Sequence, residues 1–340
     1  MSDFDVGSEA GRWNHHPGQV RLNPLFTWPL DIRAVLQWYR GAWLQITGVT
    51  LPFVVAIIGY ALFLPPLEQM QTLSLDWIAR IWLLSLVPQT LLAGGLHYFL
   101  YVRHSQGMTK KFDKRDLTRS SAIFTFKNQV WDNIWWTLGS AITVSTVYQV
   151  LLFWAMANGW TPLVTFAAAP VWFVLWMAIV PIWSGLHFYW VHRLEHSPRL
   201  FKHVHAVHHR NVNVGPWSGI SNHWYENLFY FSGYFIHLIV PSNPLHVMFH
   251  VYFQQLSPVL SHSGFEKIVK DDSDMAKAGD FFHQLHHRYF ECNYGTSEIP
   301  FDRWFGTFHD GSANATRATK AHKKRMYTGR QGAAPEDVRG

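Results

Sequence analysis

Four long apolar stretches constrain the fold of this 340-residue chain most, because a helix needs roughly 20 apolar residues to cross a bilayer. Pro52, Pro88 and Pro181 interrupt three of them, which a membrane helix tolerates as a kink. Buried helices of a large soluble core are the alternative, but no soluble fold obviously needs four such runs. We therefore predict an all-α integral membrane protein with about four transmembrane helices. The stretches cover about residues 43–64, 77–102, 134–158 and 162–190.

The composition supports a membrane protein. Apolar residues make up 49% of the chain and charged residues only 15%, whereas soluble domains carry roughly 25% charged residues. Eighteen Trp and thirteen Tyr suit belts at the two membrane interfaces. The lone Cys292 excludes an internal disulfide and a multi-thiolate metal site. We expect no cleaved leader in the first forty residues, and no motif for nucleic-acid binding occurs.

The charges of the connecting loops predict the orientation. The segment between the second and third stretches carries seven Lys and Arg residues, whereas the other two connections carry none. Basic loops stay on the cytoplasmic side, so both termini should be cytoplasmic, in a bacterial inner membrane or its equivalent. Everything after His192 then also lies on that side.

The chain divides into four parts on this basis. Residues 1–40 form an amino-terminal cytoplasmic segment, residues 41–190 the transmembrane helices, residues 191–310 a cytoplasmic helical cap, and residues 311–340 a polar basic tail. The apolar region 224–256 is broken at 241–244, which favours interfacial helices that wall a lipid entrance. Two further spans are the alternative for this region.

Three clusters of histidines carry the chemistry of the predicted cap. On a helix, residues three and four apart share a face, so each cluster projects its imidazoles in one direction. Imidazole is the usual nitrogen ligand for zinc and iron, and eight such side chains exceed what one mononuclear site uses. We therefore predict the ligand set of a two-metal centre. Its members are His192 and His196; His205, His208 and His209; and His283, His286 and His287.

Two other interpretations of the histidines remain open. His192, Glu195 and His196 fit the H-x-x-E-H pattern of one class of zinc proteases, with Glu195 as general base. A non-catalytic metal-binding protein is the second alternative. His246 and His250 also have ligand-like spacing, but we interpret both as structural or pocket-lining.

The combined motif resembles a known family. HRLEH, an eight-residue gap, HAVHH and then HQLHH are followed by Asn293-Tyr294-Gly295 and Asp302-Arg-Trp-Phe-Gly306-Thr. This pattern, over about residues 185–309, resembles the fatty acid hydroxylase/sterol desaturase superfamily. The resemblance implies a membrane enzyme that uses a histidine-bound pair of metal ions and dioxygen to hydroxylate or desaturate a lipid. It makes the eight histidines metal ligands and adds His223, from His223-Trp-Tyr-Glu226, and His262, from His262-Ser-Gly264.

The resemblance also implies the cofactors and partners. Iron is expected because zinc has no redox chemistry, although zinc can occupy the isolated protein. Electrons must come from a ferredoxin- or cytochrome-type donor, which could dock on the basic segment Lys110–Arg119. The substrate would be a fatty acyl chain, an ornithine lipid or a sterol, with sterol-ring desaturation as the main alternative to hydroxylation. Ligating imidazoles commonly give their second N–H to a carboxylate or carbonyl, and the candidate residues that would support the ligands are Asp280, Glu226, Asn293, Asp302 and His187.

Overall fold

The computed structural model describes residues 13–271 and 273–331, and their architecture is mostly helical, as predicted. Short π-helical turns occur at Tyr98–Val102 and Trp136–Ala141. The helices of the first part are α1 Ile32–Trp43, α2 Thr50–Leu62, α3 Leu75–His97, α4 Gln129–Trp135, α5 Ile142–Ala157 and α6 Pro170–Glu195. The second part contains α7 Pro198–Leu200, α8 Ala206–His209, α9 Trp224–Tyr230, α10 Pro244–Ser261, α11 Phe281–Tyr289, α12 Phe301–Trp304 and α13 Ala313–Gln331. Strands β1 Lys267–Lys270 and β2 Ser273–Lys277 form an antiparallel pair before α11.

Three helical segments in the described part of the chain are long and apolar enough to cross a membrane. They are Leu75–Val102, Gln129–Ala157 and Pro170–Glu195. Much of the outer surface of α3 and α6 is exposed and apolar, as in Leu91 and Val171, which are 70% and 80% exposed. Such side chains are compatible with lipid around the helices. These segments correspond to three of the four predicted stretches.

The remaining predicted span, residues 43–64, is the first in the chain and is not confirmed as a single crossing. Its helix, α2, has 13 residues, which is shorter than the roughly 20 needed. Thr47 interrupts the run: its hydroxyl donates to the carbonyl of Ala42 at 2.6 Å and accepts from the N–H of Val49 at 3.1 Å. Such local side-chain bonds compete with the helical backbone ladder. The chain therefore bends between α1 and α2.

Helix α10 lies at the centre of the bundle. It packs against α2, α3, α5 and α6, and most of its side chains are buried. The predicted interfacial region 224–256 thus contains one helix inside the protein. Helix α9 differs, because Trp224 and Tyr225 are 40% and 61% exposed. An interfacial position stays a prediction for α9.

The amino-terminal segment and the last helix flank the second part of the fold. The Asn14 side chain donates to the carbonyls of Met108 and Lys111, both at 2.8 Å. The Trp13 ring lies 3.9 Å from the guanidinium carbon of Arg288 on α11. The predicted first and last parts of the chain extend beyond these contacts, to residues 1–12 and 332–340, which lie outside the described residues.

Candidate metal centre

The end of α6 and the short helices after it position the first two histidine clusters. His192 lies in the last turn of α6, and His196 caps its carboxyl end, so the two rings lie one turn apart. A π-helical turn over Phe201–His205 then leads directly into α8. This change of helical pitch carries His205, His208 and His209 back towards the end of α6. The rings of His192 and His205 are 4.8 Å apart.

Two other elements bring the remaining histidines to the same place. Helix α11 carries His283, His286 and His287 within nine residues, all buried. His262 is the C-cap of α10 and is 3% exposed. The central helix of the bundle therefore ends at the histidine centre.

The structure arranges nine of the ten predicted ligands in two groups. Within each group, the possible ligand atoms lie within 4.8 Å of one another. Both groups are almost fully enclosed by protein. We call them the five-histidine group, which is His192, His196, His205, His209 and His286, and the four-histidine group, which is His208, His262, His283 and His287.

Backbone carbonyls fix the tautomers of three of these imidazoles. His192 Nδ1 lies 2.6 Å from the carbonyl oxygen of Tyr294, and His286 Nδ1 lies 2.6 Å from that of Cys292. His262 Nδ1 lies 2.9 Å from the carbonyl oxygen of Pro258. A carbonyl only accepts, so each Nδ1 carries the proton, and each Nε2 is left with a lone pair. In all three rings, the nitrogen that carries the lone pair therefore faces the other histidines of the cluster.

The Nε2 atoms approach one another closely. In the four-histidine group, Nε2 of His262, His283 and His287 form a triangle with sides of 3.1, 3.1 and 3.2 Å. In the five-histidine group, Nε2 of His209 lies 3.1 Å from Nε2 of both His196 and His286. Nitrogens bonded to one ion at about 2.0–2.1 Å lie about 3–4 Å apart, so these spacings fit the ligand shell of a metal ion.

The donor set also fits metal binding electrostatically. Burial lowers the pKa of His205 to about 3 and that of His262 to about 4. Burial together with neighbouring imidazoles holds the pKa of His209 and His286 well below the usual value. These side chains are therefore neutral at pH 7, which is the form that coordinates a metal. Nε2 of His192 and of His205 has no hydrogen-bond partner among the described residues, as expected for atoms reserved for an ion.

Two buried carboxyl groups border the five-histidine group. Oε1 of Glu226 lies 2.9 Å from His205 Nδ1, and Oε2 of Glu195 lies 3.8 Å from the same atom. Burial raises the pKa of Glu226 well above its usual value. Two carboxylates this close cannot both ionise cheaply without positive charge beside them. A metal ion behind His205 would provide that charge.

The predicted supporting residues take different positions. Glu226 contacts a clustered histidine directly, as described above. Asp302 accepts hydrogen bonds from the backbone N–H groups of Tyr294 and Gly295, at 2.9 and 2.8 Å, and so fixes the loop whose carbonyl holds His192. Asp280 caps α11 by accepting from the N–H of Phe282 at 3.0 Å. It supports the ligands only through the helix that carries them.

Asn293 and His187 do not bond to a clustered imidazole. The Asn293 amide donates to the carbonyls of Phe282 and His309, at 3.0 and 2.9 Å, and so connects α11 to the segment before α13. His187 Nε2 instead contacts the Ser232 hydroxyl at 2.9 Å.

His223 is the one predicted ligand that the structure leaves outside both groups. Its Nδ1 accepts from the N–H of Tyr225 at 3.3 Å, which makes it the N-cap of α9. Its ring lies 5.6 Å from the Trp136 ring. The capping hydrogen bond and this ring contact hold the imidazole away from the clusters.

Sequence reasoning missed the groups that hold the ligands from behind. The carbonyls of Pro258, Cys292 and Tyr294 belong to the backbone, so no residue type marks them. Glu195 fitted the pattern of a zinc-site base, and the structure places it 3% exposed beside Glu226. Glu195 directly precedes His196 in the sequence, and this position gave no indication that its side chain lies beside Glu226.

Helices long and apolar enough to cross a membrane, together with two enclosed groups of histidines that could hold metal ions, define the class of protein. Comparison with known proteins gives the family: residues 177–307 match the model described as fatty acid hydroxylase. This stretch contains all nine clustered histidines. The match agrees with the resemblance to the fatty acid hydroxylase/sterol desaturase superfamily that the motif predicted.

Curated relatives agree with this resemblance. A Delta(7)-sterol 5(6)-desaturase of Gibberella zeae is 31% identical over 137 residues, which are 39% of this chain and 42% of the relative. Methylsterol monooxygenase 1 of Gallus gallus is 32% identical over 122 residues, which are 35% of this chain and 41% of that protein. A putative Delta(7)-sterol-C5(6)-desaturase of Arabidopsis thaliana is 26% identical over 179 residues, covering 51% and 60%. The chain thus spans about half the length of the curated relatives it matches. No solved structure matches it significantly.

Proposed function

We propose that this protein is a membrane oxidoreductase that oxidises a lipid with dioxygen, by hydroxylation or desaturation, at a pair of iron ions. The observation that carries the proposal is the convergence of nine neutral imidazoles in two adjacent groups, eight of them buried and His196 half-buried. Bound there, the two ions would supply the activation of dioxygen and the removal of hydrogen from an unactivated C–H bond. Zinc in the isolated protein would be a substitute for iron, because zinc has no redox chemistry.

The residues of the chain contribute geometry and exclusion of water. The three backbone carbonyls and Glu226 hold the rings so that little reorganisation is needed when ions bind. The Phe188 ring stacks on His192 with centroids 4.8 Å apart and lies 6.2 Å from His283. It therefore covers the side of the centre that faces the membrane helices and keeps that side apolar.

A lipid substrate is supported by the neighbourhood of the site. The centre lies at the ends of α6 and α10, and α6 is a candidate membrane span. A substrate could reach it from the bilayer without crossing water. We propose both termini on the cytoplasmic side with the centre at that face, on the charge distribution of the loops.

Desaturation of a sterol ring is the second candidate reaction. Two of the relatives described above are named as sterol desaturases, and one is named as a monooxygenase. Both reactions begin by removing hydrogen from carbon, so the histidine centre serves either. Hydrolysis at a single zinc ion is less well supported, because the Glu195 side chain faces His205 and Glu226 within the buried cluster.

We also propose an external electron donor that docks on exposed cations of the segment 110–119. Lys114 and Arg119 are exposed there. Lys111 is excluded from this surface, since it is buried and donates to the carbonyls of Asp113 and Arg115. Charge reversal of Lys114 and Arg119 together should raise the donor concentration needed for half-maximal turnover. Unchanged donor dependence would remove this part of the proposal.

The reaction is tested by comparing lipid extracts of cells that express the wild type with those that express His286→Ala. The gain of one oxygen atom in a lipid identifies a hydroxylase, and the loss of two hydrogens identifies a desaturase. Both changes should disappear in the variant. Identical lipids in the two strains, with an electron-donor system present and both proteins expressed, would contradict the proposed activity.

A further inference from the structure

A second group of polar side chains, each with a buried acceptor atom, lies near the metal centre inside the bundle. It consists of His187 on α6 and His250 and Gln254 on α10, and we call it the buried acceptor cluster. His250 is fully buried, and Gln254 is 4% exposed. Polar side chains within membrane segments are rare and usually mark function. None of the three belongs to the groups of metal ligands described above.

Hydrogen bonds determine the tautomer of His250. The hydroxyl of Ser242 donates to the carbonyl of Val240 at 2.9 Å, so it accepts from His237 Nδ1–H, which is 2.7 Å away. His237 Nε2 is then an acceptor and receives His250 Nδ1–H at 3.1 Å. His250 Nε2 is left as a buried lone pair, without a hydrogen-bond partner among residues 13–271 and 273–331.

The same reasoning applies to His187. The Ser232 hydroxyl donates to the carbonyl of Phe229 at 2.7 Å, so it accepts from His187 Nε2–H at 2.9 Å. His187 Nδ1 is therefore an acceptor, and in the described structure it too lacks a partner, as does Oε1 of Gln254. Three acceptor atoms are thus buried without a donor. Leaving each unsatisfied would cost about 1–3 kcal/mol.

The three side chains share one region of the bundle. His250 and Gln254 are four residues apart on α10 and so lie on one face of it. Gly233 lies against both α6 and α10: a Cβ on it would come 3.0 Å from His187 Nδ1 and 3.2 Å from Gln254 Nε2. The absence of a side chain at Gly233 keeps these polar groups together.

The chemistry of the cluster restricts its ligand. Three acceptors require a group that donates hydrogen, and the cluster contains no cationic side chain that would balance a phosphate or carboxylate. It also contains no carboxylate that would balance an ammonium group, which would be costly to bury unpaired. A neutral hydroxyl avoids both charge penalties and donates its one hydrogen to one of the three acceptors.

The position of the cluster suits a substrate that extends to the metal centre. His187 precedes His192 by five residues on α6, which is about 7.5 Å along a helix axis. The Tyr230 hydroxyl donates to the carbonyl of Gln254 at 2.9 Å, and the Tyr230 ring lies 6.1 Å from the Phe188 ring that covers His192. One layer of aromatic side chains therefore separates the two sites.

We infer that the buried acceptor cluster binds the hydroxyl group of a neutral lipid and thereby fixes which carbon of that lipid reaches the metal centre. The inference rests on the proposed function and narrows its substrate to a hydroxyl-bearing lipid, of either the ring or the chain type. A hydroxyl bound at this cluster would fix how far along the carbon skeleton the carbon that reaches the histidines lies.

Equilibrium binding to the metal-loaded full chain in detergent tests this inference. The probes are cholesterol and hexadecan-1-ol, each compared with its own O-methyl ether, which keeps the oxygen but lacks the donor hydrogen. One hydrogen bond of ordinary strength corresponds to about a fivefold change in affinity. We expect at least one alcohol to bind about fivefold or more tightly than its ether. No preference for either alcohol would overturn the inference and would assign the acceptors to an internal water.

Variants of adjacent glutamines give a matched comparison. Gln254→Leu should reduce the preference for the alcohol to less than about twofold, since it removes one acceptor and disturbs the shared site. Gln255→Leu makes the same change one residue along, where the amide donates to Ser85 and Ser145 instead, and should keep the preference. A preference that survives in Gln254→Leu would also overturn the inference.

Metal analysis separates this outcome from failure of the proposed function. Both variants should retain the metal content of the wild type, which also reports a folded centre. If the protein binds two ions but shows no preference for an alcohol over its ether, only the inferred subsite is contradicted. Retained alcohol preference in a protein that binds no ions or oxidises no lipid contradicts only the proposed function.

Discussion

Replacement of Glu226 tests how the protein prepares its ligands for metal. The carboxylate lies 2.9 Å from His205 Nδ1 and is 3% exposed, so no water can replace it easily. Loss of such a supporting contact typically lowers metal affinity by about 10–100-fold. That range corresponds to about 1.4–2.8 kcal/mol. We expect Glu226→Leu to reach it, because the leucine leaves the N–H of His205 buried without an acceptor.

Glu226→Gln should have a smaller effect, because the amide oxygen can still accept from His205 but carries no charge. The assay is competition of the purified protein with a chelator, followed by metal analysis of the chain. Glu298→Gln is the control, since that half-buried carboxylate accepts from Trp38 and Asn23 and contacts no clustered histidine. Wild-type affinity in a folded Glu226→Leu protein would refute the reasoning.

Three further predictions concern the support of the site. Asp302→Asn should weaken metal binding and lower the thermal midpoint, because the carboxylate holds two backbone N–H groups of a ligand-bearing loop; equal midpoints and affinities would contradict this. Gly219→Ala should destabilise the protein by about 1–3 kcal/mol in denaturant unfolding, since its Cβ would come 2.5 Å from the Pro258 backbone, whose carbonyl holds His262. The metal-free protein should lose stability as the pH falls from about 6.5 towards 4, because burial lowers the pKa of His205 to about 3 and of His262 to about 4, so the unfolded chain binds protons first. A thermal midpoint that is constant over that range would show that the buried histidines do not contribute.

The sequence indicated which histidines lie together, because helical spacing determines which side chains share a face. His283, His286 and His287 needed only the periodicity of α11. The return of His205, His208 and His209 towards α6 depends on a π-helical turn that periodicity does not reveal. His223 looked like a ligand by motif, but its local role as a helix cap prevails in the structure.

The fold was predictable only in part. Long apolar runs gave three helical segments that are able to cross a bilayer. The break at Thr47 was missed, because a single threonine inside an apolar run is usually compatible with a helix. Burial of α10 could not be inferred either, because its histidines and glutamines resemble those of an amphipathic surface helix. Tertiary contacts that the sequence does not show bind some of them, such as His246, whose Nε2 lies 2.8 Å from the carbonyl oxygen of Phe173.

Counting metal ions tests the account most directly. The protein, loaded with iron or zinc and freed of excess, should contain two ions per chain by elemental analysis. His209→Ala, in the five-histidine group, and His262→Ala, in the four-histidine group, should each retain about one. A wild-type protein that saturates at one ion, or that retains both ions in each variant, would contradict a two-metal centre built from these nine histidines.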